Sequence, residues 1–599
     1  MNIIQKIGLG IFIIALAIFT LVPGMESYNL SADSITLPNE YHQAAFQKAA
    51  ESTGLFSKEY SSTFATTDAL KETFASAQAA INAQVESSGI PDGVQEWDYK
   101  LGDWKFKEYF KPELFRDASV GPISSNPYLY LLLTVGLGLL GGLLYILPKF
   151  TDIPGIKHNG IYHSPMTRGL SVGWRTFALV ATTVGVLFYG MSYMDKQWFW
   201  PGITALVMGI ITFMVFYVQN SMKNNPSKSA SPYGVSAWLG IITGIYLVGF
   251  YILLYWAPQH ITGWIVMVSP VSEMLNGGPA SQWFLYGFLY TIIIIVMGVR
   301  MMSKYRHNRY QLIRTGSVMF FQTAFAFLIP QILQLLNQPS MDLKNIWPLN
   351  YTFFFDWNIN SLLESGGLGI FMLVWGIVLV VIAVPLITYF YGKRWYCSWV
   401  CGCGGLAETL GDPYRQLSDK SVRAWKYERF IIHGVLAFAV IMTGMTLYTY
   451  FSGVSQIGFI STGNVQKWYG FFIGAGFSGV VGTGFYPLMG NRVWCRFGCP
   501  LAAYLGLVQR FKSRFRITTN GSQCISCGNC STYCEMGIDV RSYAQKGQDI
   551  VRSSCVGCGV CAAVCPRGVL RLENSGEDVN ERAFAERAIH ISEDQVTLL

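Results

Sequence analysis

The chain carries two cysteine runs near its end, Cys524-Ile-Ser-Cys527-Gly-Asn-Cys530-Ser-Thr-Tyr-Cys534 and Cys555-Val-Gly-Cys558-Gly-Val-Cys561-Ala-Ala-Val-Cys565-Pro566. Each run has three cysteines spaced three residues apart and a fourth that lies four residues further on. Three such thiolates hold one face of a cubane cluster, and the fourth reaches the other cluster. The spacing therefore predicts two [4Fe–4S] clusters, with the ligand sets Cys524, Cys527, Cys530, Cys565 and Cys555, Cys558, Cys561, Cys534.

Zinc bound on paired Cys-x-x-Cys knuckles is the competing interpretation of these runs, but it leaves four cysteines without a metal. Gly528 and Gly559 each follow the second cysteine of a run, where a missing Cβ lets backbone amides approach the cluster. One departure from the bacterial pattern is Glu535, which follows Cys534 in place of proline. We expect its carboxylate to lie close to the second cluster and to influence the potential of that cluster.

The chain that precedes these runs is strongly apolar. Of the 599 residues, 51% are hydrophobic and only 13% are charged, and the mean hydropathy is +0.34. A soluble domain carries about a quarter charged residues, so this composition indicates an integral membrane protein. Stretches of about 20 apolar residues, long enough to cross a bilayer, occur at 3–22, 128–148, 170–194, 199–219, 234–256, 282–302, 315–336, 366–391, 430–451 and 470–490.

Loop charges orient these ten predicted crossings. The short loops on one side hold 16 Lys and Arg residues, and those on the other side hold only Lys196, Lys344 and Lys467. Because cytoplasmic loops carry the positive excess, we expect a multi-pass protein of the bacterial inner membrane with both termini in the cytoplasm. The net charge of +8 has the same origin, and it does not indicate nucleic-acid binding.

The predicted fold class is an α-helical integral membrane protein with about ten transmembrane helices, a helical outer domain and a C-terminal two-cluster bacterial-type ferredoxin domain of the α+β class. The predicted parts are an uncleaved transmembrane anchor, an acidic periplasmic domain, a nine-helix membrane domain, and a cytoplasmic ferredoxin domain with its tail. Their boundaries are 1–23, 24–127, 128–490 and 491–599.

Two regions outside the crossings are expected to contact other molecules. Residues 24–127 hold 15 acidic and 8 basic residues and no cysteine, and their Ala/Gln/Glu-rich runs at 40–52 and 68–87 predict helices. We expect this domain to pack on the outer membrane face or to dock a partner. Residues 510–516 alternate basic and aromatic side chains, which favours contact with anionic membrane lipid over nucleic acid.

Five further cysteines form a second constellation at predicted cytoplasmic helix ends. The two motifs are Arg394-Trp-Tyr-Cys397-Ser-Trp-Val-Cys401-Gly402-Cys403 and Arg492-Val-Trp-Cys495-Arg-Phe-Gly-Cys499-Pro500. In each motif, Cys-x-x-x-Cys on a helical turn places both sulfurs on one face, so four thiolates are expected to converge on one metal or cluster. Thiolates suit an iron–sulfur cluster or Cu(I), and the spacing does not choose between them.

Cys403 is surplus to a four-ligand site, so it either replaces Cys401 or is a spare thiol. The predicted metal-binding residues of this constellation are therefore Cys397, Cys401, Cys403, Cys495 and Cys499. No cysteine precedes Cys397, which argues against a disulfide framework spread over an extracellular fold.

Together these motifs resemble the membrane-bound polyferredoxins of the NosR, NapH and CcoG type. That group combines transmembrane helices carrying C-x-x-x-C-P motifs with a cytoplasmic two-cluster ferredoxin domain. The resemblance extends over about 306–567 and is closest at 492–501 and at the eight ferredoxin cysteines. The first motif departs from the group, since it has Gly402 where proline is expected and the additional Cys403.

The cofactors predicted are two [4Fe–4S] clusters and, at the membrane cysteines, a third cluster or copper. The flavin-binding motif of the NosR outer domain is absent, and the stretch 64–67 is not a substitute, so no flavin is predicted. No haem is predicted either, because the chain lacks Cys-x-x-Cys-His and has no second well-placed intramembrane histidine beside His433. Two G-x-G-x-x-G matches, at 136–141 and 474–479, lie in apolar runs and predict close helix packing.

The leading functional hypothesis is a membrane-bound iron–sulfur protein that passes electrons from a cytoplasmic donor to quinone, copper or a periplasmic redox partner. All cysteines are predicted on the cytoplasmic side, so a route to the outer side must still cross about 30 Å of hydrocarbon. The alternatives are a copper-handling or cupric-reducing oxidase maturation factor resembling CcoG, and an anchor that relays electrons within a larger respiratory complex. The chemistry belongs to the clusters in each case, and no catalytic side chain is predicted.

Overall fold

The fold is described from a computed structural model, which covers residues 2–37, 40–89, 111–151, 233–520, 523–574, 589–592 and 595–598. The chain divides into two compact units. One unit comprises Met1–Pro148 with Phe250–Tyr290, and the other comprises Lys149–Gly249 with Thr291–Leu599.

Six helices in the described residues are long and apolar enough to cross a membrane. They are Ile3–Gly24, Pro127–Phe150, Gln282–Tyr305, Arg309–Leu335, Gly366–Tyr391 and Val422–Ser452. A seventh span is counted if the helices Ile242–Trp256 and Pro258–Asn276 act as one, although they meet at a bend of 116°. The protein is therefore mostly helical, and its membrane helices make a multi-pass arrangement.

These helices agree with six of the ten predicted crossings. The prediction at 234–256 agrees with the bounds of the helix Tyr233–Trp256, whose described part counts as a span only together with the helix Pro258–Asn276 that follows the bend. The prediction at 470–490 is wrong as a single crossing, because the helix Thr462–Tyr469 continues as the π-helix Gly470–Val481 and then breaks. The predictions at 170–194 and 199–219 lie outside the described residues.

In the first unit, the acidic segment is helical, as the sequence predicted. The helix Glu40–Thr53 packs on Thr63–Ser88 around Phe46 and Phe74, whose rings lie 4.7 Å apart. A short antiparallel ladder pairs Tyr28 with Tyr60. The other α-helices in the described residues of this segment are Pro112–Asp117 and Pro122–Ser125.

A buried carboxylate organises the return of this segment toward the membrane helices. Glu26 is only 2% exposed, and it accepts hydrogen bonds from the backbone amides of Gly121, Ile123 and Ser124 at 2.6 to 2.9 Å. These amides belong to the first turn of Pro122–Ser125, whose free N–H groups favour a negative partner. The Glu26 carboxylate thus has a structural role, because it accepts hydrogen bonds from the free amides at the start of this helix.

The first G-x-G-x-x-G match packs helices closely, which confirms that prediction. Helix Ile3–Leu21 lies against Leu137–Ile146, and a Cβ on Gly141 would meet the Phe12 backbone nitrogen at 2.6 Å. Gly8 faces it in the same way, since its Cβ would lie 2.8 Å from the Gly141 carbonyl oxygen. The neighbouring elements of this unit are Pro127–Leu131, Leu132–Gly136 and Thr262–Asn276.

The second unit holds every cysteine of the chain. Among the described residues, its helices before the second Cys-x-x-x-Cys motif include Arg309–Phe320, Phe321–Leu328, Ile329–Leu335, Asp356–Glu364, Gly366–Val378, Leu379–Ala383, Val384–Tyr391, Arg394–Cys397, Gly402–Thr409, Asp412–Leu417, Val422–Ser452, Thr462–Tyr469, Gly470–Val481 and Tyr486–Met489. Trp494–Gly498 lies within that motif, and the helices that follow are Pro500–Lys512, Asn529–Thr532, Val540–Gln545 and Val560–Ala563.

Short two-stranded sheets complete the second unit. Strand Arg516–Thr519 pairs antiparallel with Leu570–Glu573, with Ile517 opposite Leu572, and this ladder frames the ferredoxin cysteines. The other pairs are Gln456–Ile457 with Ile460–Ser461, and Ile589–Ser592 with Gln595–Leu598.

Hydrogen bonds fix the ferredoxin segment on the ends of the membrane helices. The Tyr310 hydroxyl donates to the Gly557 carbonyl at 2.9 Å, and the Gln311 amide donates to the Cys558 carbonyl at 2.8 Å. The Ser398 hydroxyl, next to Cys397, donates to the Val556 carbonyl at 2.8 Å. Since these bonds reach backbone between ferredoxin cysteines, that segment has a defined place in the second unit.

Candidate metal centres

The first set of ferredoxin cysteines, which we call ferredoxin site 1, surrounds a cavity of about 360 Å³. Its lining includes Cys524, Cys527, Cys530 and Cys565. Gly528 has a φ of +79°, which favours glycine, and caps the short helix Asn529–Thr532 that carries Cys530. The structure therefore gathers the four cysteines that the spacing assigned to one cluster.

The second set, ferredoxin site 2, surrounds a cavity of the same size, about 360 Å³, lined by Cys534, Cys555, Cys558 and Cys561. Gly559 has a φ of +71° and caps the helix Val560–Ala563. A Cβ at Gly559 would also lie 2.9 Å from the Tyr310 ring, so this position needs glycine for two reasons. The structure thus exchanges the fourth cysteines between the runs, as a two-cluster ferredoxin requires.

The five remaining cysteines line a third cavity, of about 270 Å³, which we call the membrane cysteine site. Its lining includes Cys397, Cys401, Cys403, Cys495 and Cys499, together with Tyr396 and Trp494. The four cysteines of the two Cys-x-x-x-Cys pairs are buried, and all 13 cysteines of the chain are free thiols. Both pairs therefore open on the same space, although they are almost one hundred residues apart in the sequence.

The two pairs do not lie on continuous helical turns, so that part of the prediction is wrong. Cys397 ends the helix Arg394–Cys397, and Cys401 has an extended backbone, with φ −66° and ψ 125°, that caps Gly402–Thr409. Cys499 has φ −82° and ψ 111° and caps Pro500–Lys512. The chain bends between the two cysteines of each pair because the second cysteine starts a new helix. Pro500 is the signal for this bend, since proline is favoured in the first turn of a helix.

Hydrogen-bond donors surround the membrane cysteine site. Arg492 Nη1 lies 3.5 Å from Cys495 Sγ, and the Ala502 backbone amide lies 3.4 Å from Cys499 Sγ. The buried indole N–H of Trp494 has no hydrogen-bond partner among the described residues, although this side chain lines the cavity. Donors that face sulfur stabilise thiolate-bound centres, so the side chains present fit a cluster or a thiolate-bound metal.

The thiols also respond to their surroundings and to each other. A hydrogen bond from the Cys403 thiol lowers the pKa of Cys401 to about 6 despite burial, and the same bond raises the pKa of Cys403. Burial raises the pKa of Cys530 to about 12 and that of Cys555 to about 11. Metal binding at the ferredoxin sites must therefore displace protons from thiols that are neutral at pH 7.

A buried group of charges, which we call the ionic cluster, contacts both ferredoxin site 2 and the membrane cysteine site. Its side chains are at most 4% exposed, and they are Arg314, Arg415, Arg492, Glu408 and Glu535. Arg492 Nη2 donates to Glu408 Oε1 at 2.6 Å, and Arg415 Nη1 donates to Glu535 Oε2 at 2.7 Å. Arg314 pairs with Glu408 as well.

Glu535 occupies the expected place beside ferredoxin site 2. Oxygen atoms of Glu535 and Glu408 and the sulfur of Cys558 lie within 4.8 Å of one another. Burial opposes the charged form, but Arg415 and Arg492 hold the pKa of Glu535 well below its usual range. Both carboxylates already have arginine partners, so we assign no metal ion to this group.

The ionic cluster continues outward through Asp412, which accepts from Arg415 Nε at 2.9 Å and from Lys304 Nζ at 2.8 Å. Burial would raise the pKa of Asp412, but Lys304 and Arg415 outweigh it and hold this pKa at about 2. Sequence reasoning missed the cluster, since its members belong to five separate segments and follow no spacing rule. Arg314 lies just before the crossing predicted at 315–336, and only the structure places this cation within the membrane helix Arg309–Leu335.

Comparison with known protein families agrees with these sites. Residues 516–566 match the 4Fe-4S dicluster domain, and residues 372–423 and 469–518 each match the 4Fe-4S binding domain. The first match contains the ferredoxin runs, and each of the other two contains one Cys-x-x-x-Cys pair. The chain therefore combines 4Fe–4S ferredoxin domains with membrane helices.

Similar proteins are known from bacteria. The chain is 27% identical over 163 residues to YccM of Escherichia coli K12, whose name refers to electron transport; the match covers 26% of this chain and 44% of YccM. It is 30% identical over 181 residues to MauN of Paracoccus denitrificans, a methylamine utilization ferredoxin-type protein, and that match covers 28% of this chain and 59% of MauN. A second MauN, from Methylorubrum extorquens, is 24% identical, with 26% of this chain and 52% of that protein covered.

The matched regions thus span about half the length of these curated relatives. No solved structure matches the chain. The predicted resemblance to membrane polyferredoxins is confirmed as distant homology to YccM and MauN. What the comparisons and the helices show for this chain is a set of 4Fe–4S ferredoxin-type domains combined with membrane helices.

Proposed function

We propose that this protein moves electrons between a cytoplasmic donor and an acceptor in the membrane, through two [4Fe–4S] clusters and a third thiolate-bound centre. Cys524, Cys527, Cys530 and Cys565 would hold one cluster at ferredoxin site 1. Cys534, Cys555, Cys558 and Cys561 would hold the other at ferredoxin site 2. The membrane cysteine site would hold the third centre, and the bacterial inner membrane with cytoplasmic termini is the proposed setting.

The observation that carries this proposal is the arrangement of three cysteine-lined cavities within one compact unit. The Arg492 guanidinium and the Glu535 carboxylate form a continuous chain of contacts from Cys495 of the membrane cysteine site to Cys558 of ferredoxin site 2. Bound clusters supply one-electron redox chemistry. The protein supplies thiolates, buried N–H donors and low exposure, which together set the potentials.

Iron, sulfide and copper analysis of the anaerobically purified protein tests the cofactor assignment. About twelve irons per chain support a third cubane at the membrane cysteine site, and about eight irons with one copper support a copper centre there. About eight irons without copper would contradict a metal at that site. Cys397→Ala and Cys495→Ala are expected to remove only the third centre, and the EPR signals of the ferredoxin clusters should persist.

The lining of a fourth cavity favours a quinone as the membrane acceptor. Its lining includes Cys495 of the membrane cysteine site and Met536, which also lines the cavity of ferredoxin site 2. A ligand here would therefore lie beside both proposed centres. The lining also includes Lys393 and His433, and the Nδ1 atom of His433 is buried without a hydrogen-bond partner among the described residues.

In this proposal the quinone takes two electrons, one at a time, from the reduced clusters and two protons from the medium, and quinol leaves. His433 and Lys393 would hold its carbonyl oxygens. Mixing the anaerobically reduced protein with a short-chain quinone should reoxidise the clusters, and His433→Leu should slow this at least tenfold without loss of iron. Phe430→Leu is the control, since Phe430 is 71% exposed on the same helix.

If Cu(II) reoxidises the clusters and the quinone does not, copper reduction is the activity and the quinone assignment fails. If neither oxidant reacts, the protein requires a partner subunit, which is the relay hypothesis. The donor is tested in the same assay, because a reduced soluble ferredoxin should reduce ferredoxin site 1 in the intact protein.

A further inference from the structure

One side chain, Arg492, contacts the residues of two proposed redox centres. It precedes the π-helix Trp494–Gly498 that carries Cys495, and its side chain is 0% exposed. On one side, Nη1 lies 3.5 Å from Cys495 Sγ and 3.3 Å from the Cys397 carbonyl oxygen. Arg492 thus touches both motifs of the membrane cysteine site.

The other nitrogen of the same guanidinium faces ferredoxin site 2. Nη2 lies 3.0 Å from Glu535 Oε1, and Glu535 is bonded to Cys534 in the chain. A Glu535 oxygen also lies within 4.8 Å of Cys558 Sγ. A single planar cation therefore lies between a cysteine of the membrane cysteine site and a carboxylate that lines ferredoxin site 2.

Stability alone does not account for this arrangement. Buried ion pairs gain little over apolar side chains of similar size, because desolvation offsets the attraction. The ionic cluster holds three arginines against two glutamates, so its charge is positive where two anionic thiolate sites approach each other. The Nε atom of Arg492 is buried and has no hydrogen-bond partner among the described residues. The guanidinium is thus not fully satisfied by protein acceptors.

We propose that Arg492 couples the membrane cysteine site and ferredoxin site 2 electrostatically, in that its one positive charge sets the reduction potentials of both centres. The inference rests on the proposed function, since it requires a redox centre at each site. When one electron passes from one centre to the other, the first is oxidised, the second is reduced, and no covalent bond changes. The charge of Arg492 favours the reduced form at both centres, and the charge of Glu535 opposes it. Both centres should therefore shift together when either charge is removed.

EPR-monitored redox titration of the full-length, anaerobically purified protein tests the coupling. In Arg492→Gln, the reduced-to-oxidised ratio of both centres should fall about tenfold at the wild-type midpoint, equivalent to about 59 mV for one electron. In Glu535→Gln, the same ratio should rise at both centres. Opposite signs in the two variants are not expected from general damage to the fold.

The matched control is Arg394→Gln, because Arg394 holds the same position in the first motif. Its guanidinium donates to Asn574 at 2.8 Å and stacks on Phe515 at 4.8 Å, and the membrane centre should keep its wild-type midpoint. Arg492→Lys keeps the charge but loses the planar fork, so it should shift both centres in the same direction as Arg492→Gln and by less. This variant also serves if Arg492→Gln loses iron.

A shift confined to one centre, or shifts of the same sign in Arg492→Gln and Glu535→Gln, would overturn the coupling. Failure of the proposed function has a different signature, since wild-type protein would then contain no metal beyond the ferredoxin clusters. Wild-type protein with a third centre and unchanged midpoints in all Arg492 variants would overturn the coupling alone.

Discussion

The two Cys-x-x-x-Cys motifs have the same local structure but different surroundings. Both match the same 4Fe-4S binding domain, both bend between their cysteines, and in both the second cysteine caps a new helix. Their arginines, however, point to different partners. Arg394 contacts Asn574 and Phe515, and Arg492 contacts Cys495 and the ionic cluster.

The aromatic residue before the first cysteine differs in the same way. The Tyr396 hydroxyl donates to the Lys344 carbonyl at 2.9 Å, and the Trp494 N–H has no partner among the described residues. The polar groups of the first motif therefore bind elsewhere in the protein, whereas the second motif places Arg492 beside Cys495 Sγ and leaves the Trp494 N–H unpartnered at the cavity. Ligand spacing is shared between the copies, and the tuning of the site is expected to come from the second.

The largest expected effect is loss of the third centre, and we expect it equally from a cysteine substitution in either motif. Cys397→Ser and Cys495→Ser should each remove the third centre, because each motif supplies thiolates to the same cavity. With a cubane at that site, iron should fall from about twelve to about eight per chain, as measured by metal analysis with EPR of the ferredoxin clusters as the control. Retention of the third centre in either variant would show that one motif suffices.

Substitutions of the aromatic residue before the first cysteine should affect the membrane centre differently in the two motifs. Trp494→Phe removes the unpartnered N–H donor of a side chain that lines the site, and a hydrogen bond of about 1 kcal/mol corresponds to a fall of about fivefold in the reduced-to-oxidised ratio of the membrane centre. Tyr396→Phe should leave this ratio unchanged, since its hydroxyl bonds elsewhere. Redox titration measures both, and equal shifts would contradict the asymmetry of the motifs.

A smaller effect is expected from exchanging the residues that follow the second cysteines. The backbone of Cys401 is already extended, which is the conformation that a proline at position 402 would require of the residue before it. Gly402→Pro should therefore stabilise the protein by about 0.5 to 1 kcal/mol, and Pro500→Gly should destabilise it by a similar amount. Denaturant unfolding in detergent, followed by tryptophan fluorescence, provides the comparison. A loss of stability in Gly402→Pro would show that this helix start needs glycine.

The smallest effect is expected at Cys403, whose counterpart in the second copy is Leu501. The Cys403 thiol donates to Cys401 and lowers the pKa of that residue, so we interpret it as a donor to a ligand. Cys403→Ser should retain the third centre with full metal content. Loss of metal in Cys403→Ser, with retention in Cys401→Ser, would identify Cys403 as the ligand instead.

Much of this protein follows from short-range sequence rules. The apolar runs predicted six described membrane helices because the length needed to cross a bilayer is a local property. The cysteine spacing predicted which four thiols gather at each ferredoxin site, since a cubane fixes the loop that holds it. The prediction that each Cys-x-x-x-Cys pair lies on one helical turn was wrong, because the second cysteine caps a new helix and this role depends on the residues that follow it.

The sequence by itself determined that the chain enters a membrane and presents cysteines in cluster-binding sets, because both signals reside in neighbouring residues. Only the tertiary structure decided that Glu535 meets Arg415 and Arg492, and that Arg492 faces a sulfur while Arg394 does not. These contacts join segments separated by many residues, and the sequence around a charged residue does not show which distant residue will pair with it. Burial then makes each pairing obligatory, since an unpaired charge in the interior is strongly unfavourable.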